Sequence, residues 1–152
     1  MIMIMMDIIT INCKGDEPVT TLFTLAEANA LIPFVKLEIE TLQGIKQKYR
    51  EKNDELQLLK AYFRKHQPPA GRDPFFTLEC EMDFLQMEGN TILKSFELKG
   101  AQLKDIDSGL VDFPAILNGH EVLLCWKQGE DCITHYHGRD DGFAGRKKLA
   151  ED

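Results

Sequence analysis

Two apolar stripes of helical period, separated by a break rich in proline, constrain this chain more than any other feature. The first runs through Leu25, Ala28, Ile32, Val35, Ile39 and Leu42 in steps of three and four residues. It shifts at Ile45 and continues through Tyr49, Leu56, Leu59 and Phe63. Residues at such steps share one face of an α-helix, and the near-heptad spacing is that of a coiled-coil seam. Thr24-Leu25-Ala26-Glu27 has capping-box spacing, so the helix is expected to start there. Pro33 lies inside the stripe. A proline there loses one backbone bond and crowds the carbonyl of Asn29, which predicts a kink or a junction of two helices. The break is His66-Gln67-Pro68-Pro69-Ala70-Gly71-Arg72. Asp73-Pro74 then reads as an N-cap and a first-turn proline. The second stripe takes Phe75, Leu78, Met82, Leu85, Gly89, Ile92 and Phe96, and Gly100 is its natural stop.

Two such helices joined by a short break fold back as an antiparallel hairpin. At about 1.5 Å per residue the first arm would span roughly 64 Å and the second roughly 39 Å. The longer arm then overhangs the shorter one. Leu56, Leu59 and Phe63 would be left bare unless another chain covered them, so the expectation is a homodimer through the helices.

After Gly100 the pattern turns to β. Gln102–Asp105 and residues 110–113 are short strands around the turn Asp107-Ser108-Gly109, and Pro114 ends the second strand or sets it at an edge. Asn118-Gly119 is a strong hairpin signal, because both residues tolerate positive φ in a type I′ turn. Residues 120–126 and 132–136 form further strands, and the tail from 138 reads as loop. The fold class is α+β: a long antiparallel helical hairpin followed by a small, mostly antiparallel sheet. Residues 21–100 make the hairpin and 101–152 a β module that forms one unit with it. Residues 1–20 are an extension, read as an added strand or as a loose tail from an upstream start.

Composition narrows the function classes. The 152 residues carry 43% hydrophobic side chains, enough for one packed core. The formal charge is −7, with an acidic excess on both sides of residue 100. Phosphate-backbone binding needs the opposite balance, so no nucleic-acid partner is expected, despite the local run Arg146-Lys147-Lys148. Met1 to Ile11 is apolar but too short to span a bilayer, and it lacks the features of a signal peptide, so no membrane partner is expected. The four cysteines (Cys13, Cys80, Cys125 and Cys132) form no Cys-x-x-Cys, which fits reduced thiols in a cytoplasmic protein.

Residues able to carry chemistry concentrate in the last third. His135 and His137 alternate on a strand and so point to one face; with Asp140, Asp141 or Glu130 they could chelate zinc or another divalent metal. An open position on that metal would serve a small metallohydrolase. The loop Gly142-Phe143-Ala144-Gly145-Arg146, running on to Lys148, offers backbone N–H groups and a guanidinium to an anion. Its alternative is a chain reversal, with Phe143 plugging the core and Arg146 paired to an acid such as Asp112. Asp112, flanked by apolar residues, is either a perturbed carboxylate or a structural ion-pair partner. Trp126 and Cys125 face opposite sides of their strand, and Trp126 is a candidate for partner contact or core packing. A Cys–His nucleophile pairing Cys125 or Cys132 with His135 or His137 has no third, orienting group in view.

Several of these motifs resemble a bacterial family catalogued as a domain of unknown function, DUF2203. The residues that carry the resemblance are Phe23-Thr24, Glu27-Ala28-Asn29, Leu31, Pro33, Leu103-Lys104-Asp105 and Gly109 through Ala115. They continue with Leu124-Cys125-Trp126, Gly129-Glu130, Tyr136-His137, Asp140 and Gly142 through Arg146. The resemblance spans about residues 22–149 and implies no activity. At Gly138 the chain departs from it, since the family pattern places an acid after the histidine.

The leading expectation is a non-enzymatic binding or assembly protein. It oligomerises through its helices and presents a β-module surface, with Asp112, Trp126, Glu130 and Arg146 as candidate contacts, to a protein partner or small ligand. The alternatives are a divalent-metal site at His135, His137 and Asp140, and an anion site at Gly142 to Lys148.

Overall fold

The computed structural model describes residues 21–150, so the expected N-terminal extension lies outside the described residues. Two helices, α1 (Leu25–Phe63) and α2 (Phe76–Lys99), precede five strands: β1 (Gln102–Asp105), β2 (Leu110–Leu117), β3 (His120–Lys127), β4 (His135–His137) and β5 (Lys147–Lys148). The strands form one antiparallel meander in sequence order. The fold is α+β.

The helix ends follow local chemistry. The Thr24 hydroxyl accepts from the Glu27 N–H at 3.1 Å, which satisfies one orphan donor of the first turn. Gly100 closes α2 in the left-handed region at φ 81°. The start of α2 lies later than expected: the Asp73 carboxylate accepts from the Phe75 N–H at 2.9 Å, and the helix begins one residue further on. α1 runs through the exposed Pro33 as one helix, so the expected junction of two helices is not there.

The overhang falls at the other end of α1. Leu56 is 1% exposed and packs with Ile45, Tyr49, Leu78 and Met82. Leu59 lies against that cluster, and the Phe63 ring meets Phe75 edge-on at 6.0 Å. The N-terminal half of α1 extends beyond the hairpin instead, where its own sheet covers it. Ala28, Ile32, Val35 and Ile39 pack with Phe96, Val111, Phe113, Leu124, Trp126 and Ile133. The bare seam that motivated a homodimer is therefore absent.

Polar contacts fix the docking of sheet on helix. The Asn29 side-chain oxygen accepts from the Ile133 N–H at 2.8 Å. Gln43 donates to the Ile106 carbonyl at 2.9 Å and to the Gln128 side chain at 2.7 Å, and the buried Lys46 reaches Asp107 at 2.8 Å. The same turn needs Gly109: its φ is 68°, and a Cβ there would meet Gln128 at 2.5 Å.

The strand boundaries differ from the sequence reading, most of all in β2, β4 and the tail. β2 continues through Pro114 to Leu117. The pairing of β1 with β2 ends at Asp112, so Pro114 sits where the strand is locally an edge and its missing N–H costs no bond to β1; the Phe23 N–H reaches its carbonyl at 2.7 Å. β4 begins only at His135, because the Ile133 N–H is given to Asn29. The tail folds into a single 3-10 turn (Phe143–Gly145) and β5, and is not all loop. Asn118 and Gly119 take φ of 52° and 80°, as the type I′ hairpin requires.

Candidate functional site

That hairpin fixes which side chains meet. Leu117 opposite His120 forces Asp112 opposite Cys125, and β4 adds His135 beside Cys125 and His137 beside Leu123. Directly paired residues share a sheet face. Val111, Phe113, Ala115, Leu124 and Trp126 face the helices. Asp112, Cys125 and His137 lie together on the outer face, and all three are buried.

Their ligand-capable atoms lie within 4.8 Å of one another. His137 Nε2 stands 3.0 Å from an Asp112 carboxylate oxygen, with both side chains under 5% exposed. Its other nitrogen, Nδ1, is 2.8 Å from the Gly138 carbonyl. A carbonyl only accepts, so Nδ1 carries a proton. Nε2 and the carboxylate oxygen then need a positive species between them, either a proton or a metal ion. Burial, and next the Asp112 charge, push the Cys125 thiol up to about 12. Without added positive charge that thiol stays protonated and is no nucleophile, so the Cys–His pairing has no activated sulfur.

Above the cluster lies a cavity of about 140 Å³ lined by Lys104, Leu110, Leu123, Arg139, Gly142 and Phe143, with Asp112, Cys125 and His137 as its polar floor. The Phe143 ring has Lys127 Nζ at 5.3 Å and the Arg146 guanidinium carbon at 5.0 Å from its centroid. It walls the cavity and is 43% exposed, so it does not plug the core as one reading of the loop expected.

Other sequence candidates go elsewhere. His135 Nδ1 is 2.8 Å from the Thr134 hydroxyl and 3.8 Å from Glu130. Asp140 is exposed in the turn after β4 and is not among the converging ligands, so the expected set of His135, His137 and Asp140 does not assemble. Arg146 pairs with Glu130 at 2.7 Å and reaches the Cys125 carbonyl, so its acid is Glu130 and not Asp112. Glu130 also accepts from the Lys127 N–H at 2.7 Å, and its own carbonyl accepts from the Trp126 indole at 2.9 Å. Trp126 is 1% exposed: it is core and offers no surface to a partner. These contacts commit Arg146 and Glu130 to holding the β3–β4 turn and the tail. Gly138 donates to Asp141 at 3.1 Å, and a Cβ at Gly138 would meet that carboxylate at 2.7 Å. Asp141 thus occupies the space that a side chain after His137 would need.

The DUF2203 profile, described as an uncharacterized conserved protein, matches residues 21–149. The chain belongs to the DUF2203 family. No curated protein and no solved structure matches it. In this DUF2203 chain the motif residues Asn29, Gly109, Trp126, Glu130 and Arg146 all have structural duties, whereas Asp112 and His137 meet beneath a cavity.

The sequence reading allowed Cys125 beside His137 only as a nucleophile pair; it missed Asp112 as the neighbour of both, and missed Lys104 and Arg139 on the cavity rim. The two-residue turn at Asn118-Gly119 already contained the first pairing, since it sets the register of β2 on β3. Among the described residues no helix is long and apolar enough to cross a membrane.

Proposed function

We propose that the protein binds a divalent cation, zinc foremost, through Asp112, Cys125 and His137. The observation that carries this reading is the convergence of a carboxylate, a thiol and an imidazole from three adjacent strands, buried and within 4.8 Å of one another. Oxygen, sulfur and nitrogen donors together suit zinc. Bonds of about 2.0–2.3 Å hold tetrahedral zinc ligands roughly 3.3–3.8 Å apart, and the three ligand atoms here lie within 4.8 Å of one another. The backbone carbonyl on His137 Nδ1 supports the reading too, because metal-binding histidines typically give their second N–H to such an acceptor. A dication would supply the positive charge that makes a buried thiolate affordable at Cys125. Three protein ligands leave a fourth position facing the cavity, which is the arrangement of reactive rather than purely structural zinc sites.

The test is elemental mass spectrometry on protein purified without chelators, followed by cobalt substitution. About one equivalent of metal and a sulfur-to-cobalt charge-transfer band are expected. Cys125→Ser should remove the band, and His137→Ala the metal, while circular dichroism keeps the native form. Metal-free protein that gives no cobalt band would sink the proposal and leave Asp112 and His137 as a buried structural pair.

A further inference from the structure

We infer that the cavity takes a small oxyanion, the phosphate or carboxylate group of its ligand, which completes the coordination of the cation at Asp112, Cys125 and His137. This inference rests on the metal reading. Its grounds are the charge and the size of the space above the floor.

Two cationic side chains flank the cavity from different elements. The pairing of β1 with β2 slips between Leu103 and Asp105, so Lys104 sits in the irregularity, and it lines the cavity. Bulges re-aim side chains in this way beside sites. Arg139 follows β4 and lines the same space; its nearest acid is Glu121 at 4.0 Å, and both side chains are 57% exposed. A tether of that kind is weak and leaves the guanidinium able to fork onto an anion. The remaining lining residues are Leu110, Leu123, Gly142 and Phe143, so no acid faces the ligand from the walls.

The floor sets a condition. Asp112 presents a carboxylate there, and an anion is repelled by it until a cation intervenes. Oxyanion binding must therefore depend on the metal. The volume sets a second limit. About 140 Å³ is room for roughly four or five waters, or for one small ring. An inorganic phosphate or a short carboxylate fits, and a nucleotide does not fit inside.

The test uses full-length cobalt-loaded protein, with its visible spectrum as readout, titrated with inorganic phosphate and, separately, with acetate. A saturable shift with either anion is expected, and the one that responds identifies the headgroup. Lys104→Ala and Arg139→Ala should each weaken that response about tenfold while leaving metal content unchanged, since each removes one charge-assisted contact to the anion. Metal-free protein should bind neither anion by calorimetry. A protein with no cobalt spectrum defeats the metal reading itself. A normal cobalt spectrum that neither anion moves, or that moves equally in the Lys104→Ala/Arg139→Ala double variant, overturns the oxyanion inference alone.

Discussion

The two faces of the sheet are built to opposite rules. The face toward the helices holds Val111, Phe113, Ala115, Leu124 and Trp126, apolar except for one indole N–H that finds the Glu130 carbonyl. The outer face buries Asp112, Cys125 and His137 under a thin cover of tail residues. Burying an acid and an imidazole costs desolvation that their pairing rarely more than repays. The inner face is thus where stability comes from, and the outer face gives up some of it to a buried polar cluster.

Substitutions can break or sharpen that contrast. The largest loss should come from the inner face: Trp126→Ala or Phe113→Ala is expected to cost about 3–5 kcal/mol in urea unfolding, through lost burial and a cavity. On the outer face, His137→Ala in chelator-treated protein should cost about 3 kcal/mol, because Asp112 stays buried without its partner. The double change Asp112→Leu/His137→Leu should recover most of that loss, while ending metal uptake. If the double variant is as unstable as the single one, the pair holds the fold together and the contrast fails.

The thiol gives a pH test. In metal-free protein Cys125 binds its proton more tightly folded than unfolded, with a folded value of about 12 against an ordinary 9.0. The folded state therefore holds more protons between those values. Its stability is intact below about pH 9 and falls as pH rises toward 12. Cys125→Ala should flatten that decline in denaturant midpoints measured across the range. Iodoacetamide at pH 8 should label the exposed Cys80 and Cys132 and spare Cys125, as read by peptide mapping. Smaller still, Thr24→Ala should cost about 1 kcal/mol by removing a helix cap far from either face. Arg139→Ala should change stability by less than about 0.5 kcal/mol, since its side chain is exposed and loosely paired.

How far the sequence anticipated this depends on the range of the interactions involved. The helices were legible because capping and seam are local: Thr24, Gly100 and the two stripes act within a few residues. The overhang was misplaced because hairpin geometry says nothing about where the sheet docks, and it docks on the N-terminal half of α1. The start of β4 was missed for a similar reason. Residues 132–134 read as strand, but the Ile133 N–H is captured by Asn29, 104 positions away. The site was half legible. The Asn118-Gly119 turn sets Asp112 against Cys125, whereas His137 joins them only through the register of β4, which no turn motif specifies. His135 drew attention by its spacing from His137, yet the two rings serve different partners.

The meander has one consequence beyond architecture. Because strand order equals chain order, each sheet contact joins near neighbours in sequence. Loop closure is cheap for such contacts, and they form early in folding. The distant contacts, such as Gln43 with Gln128 and Asn29 with Ile133, belong to docking of the sheet on α1. Asp112, Cys125 and His137 fall within one short stretch of the meander and none of these contacts bridges to a helix. Hydrogen exchange should accordingly show β2, β3 and β4 closing as one cooperative unit before the helices engage, so that the three side chains meet in a partly assembled molecule.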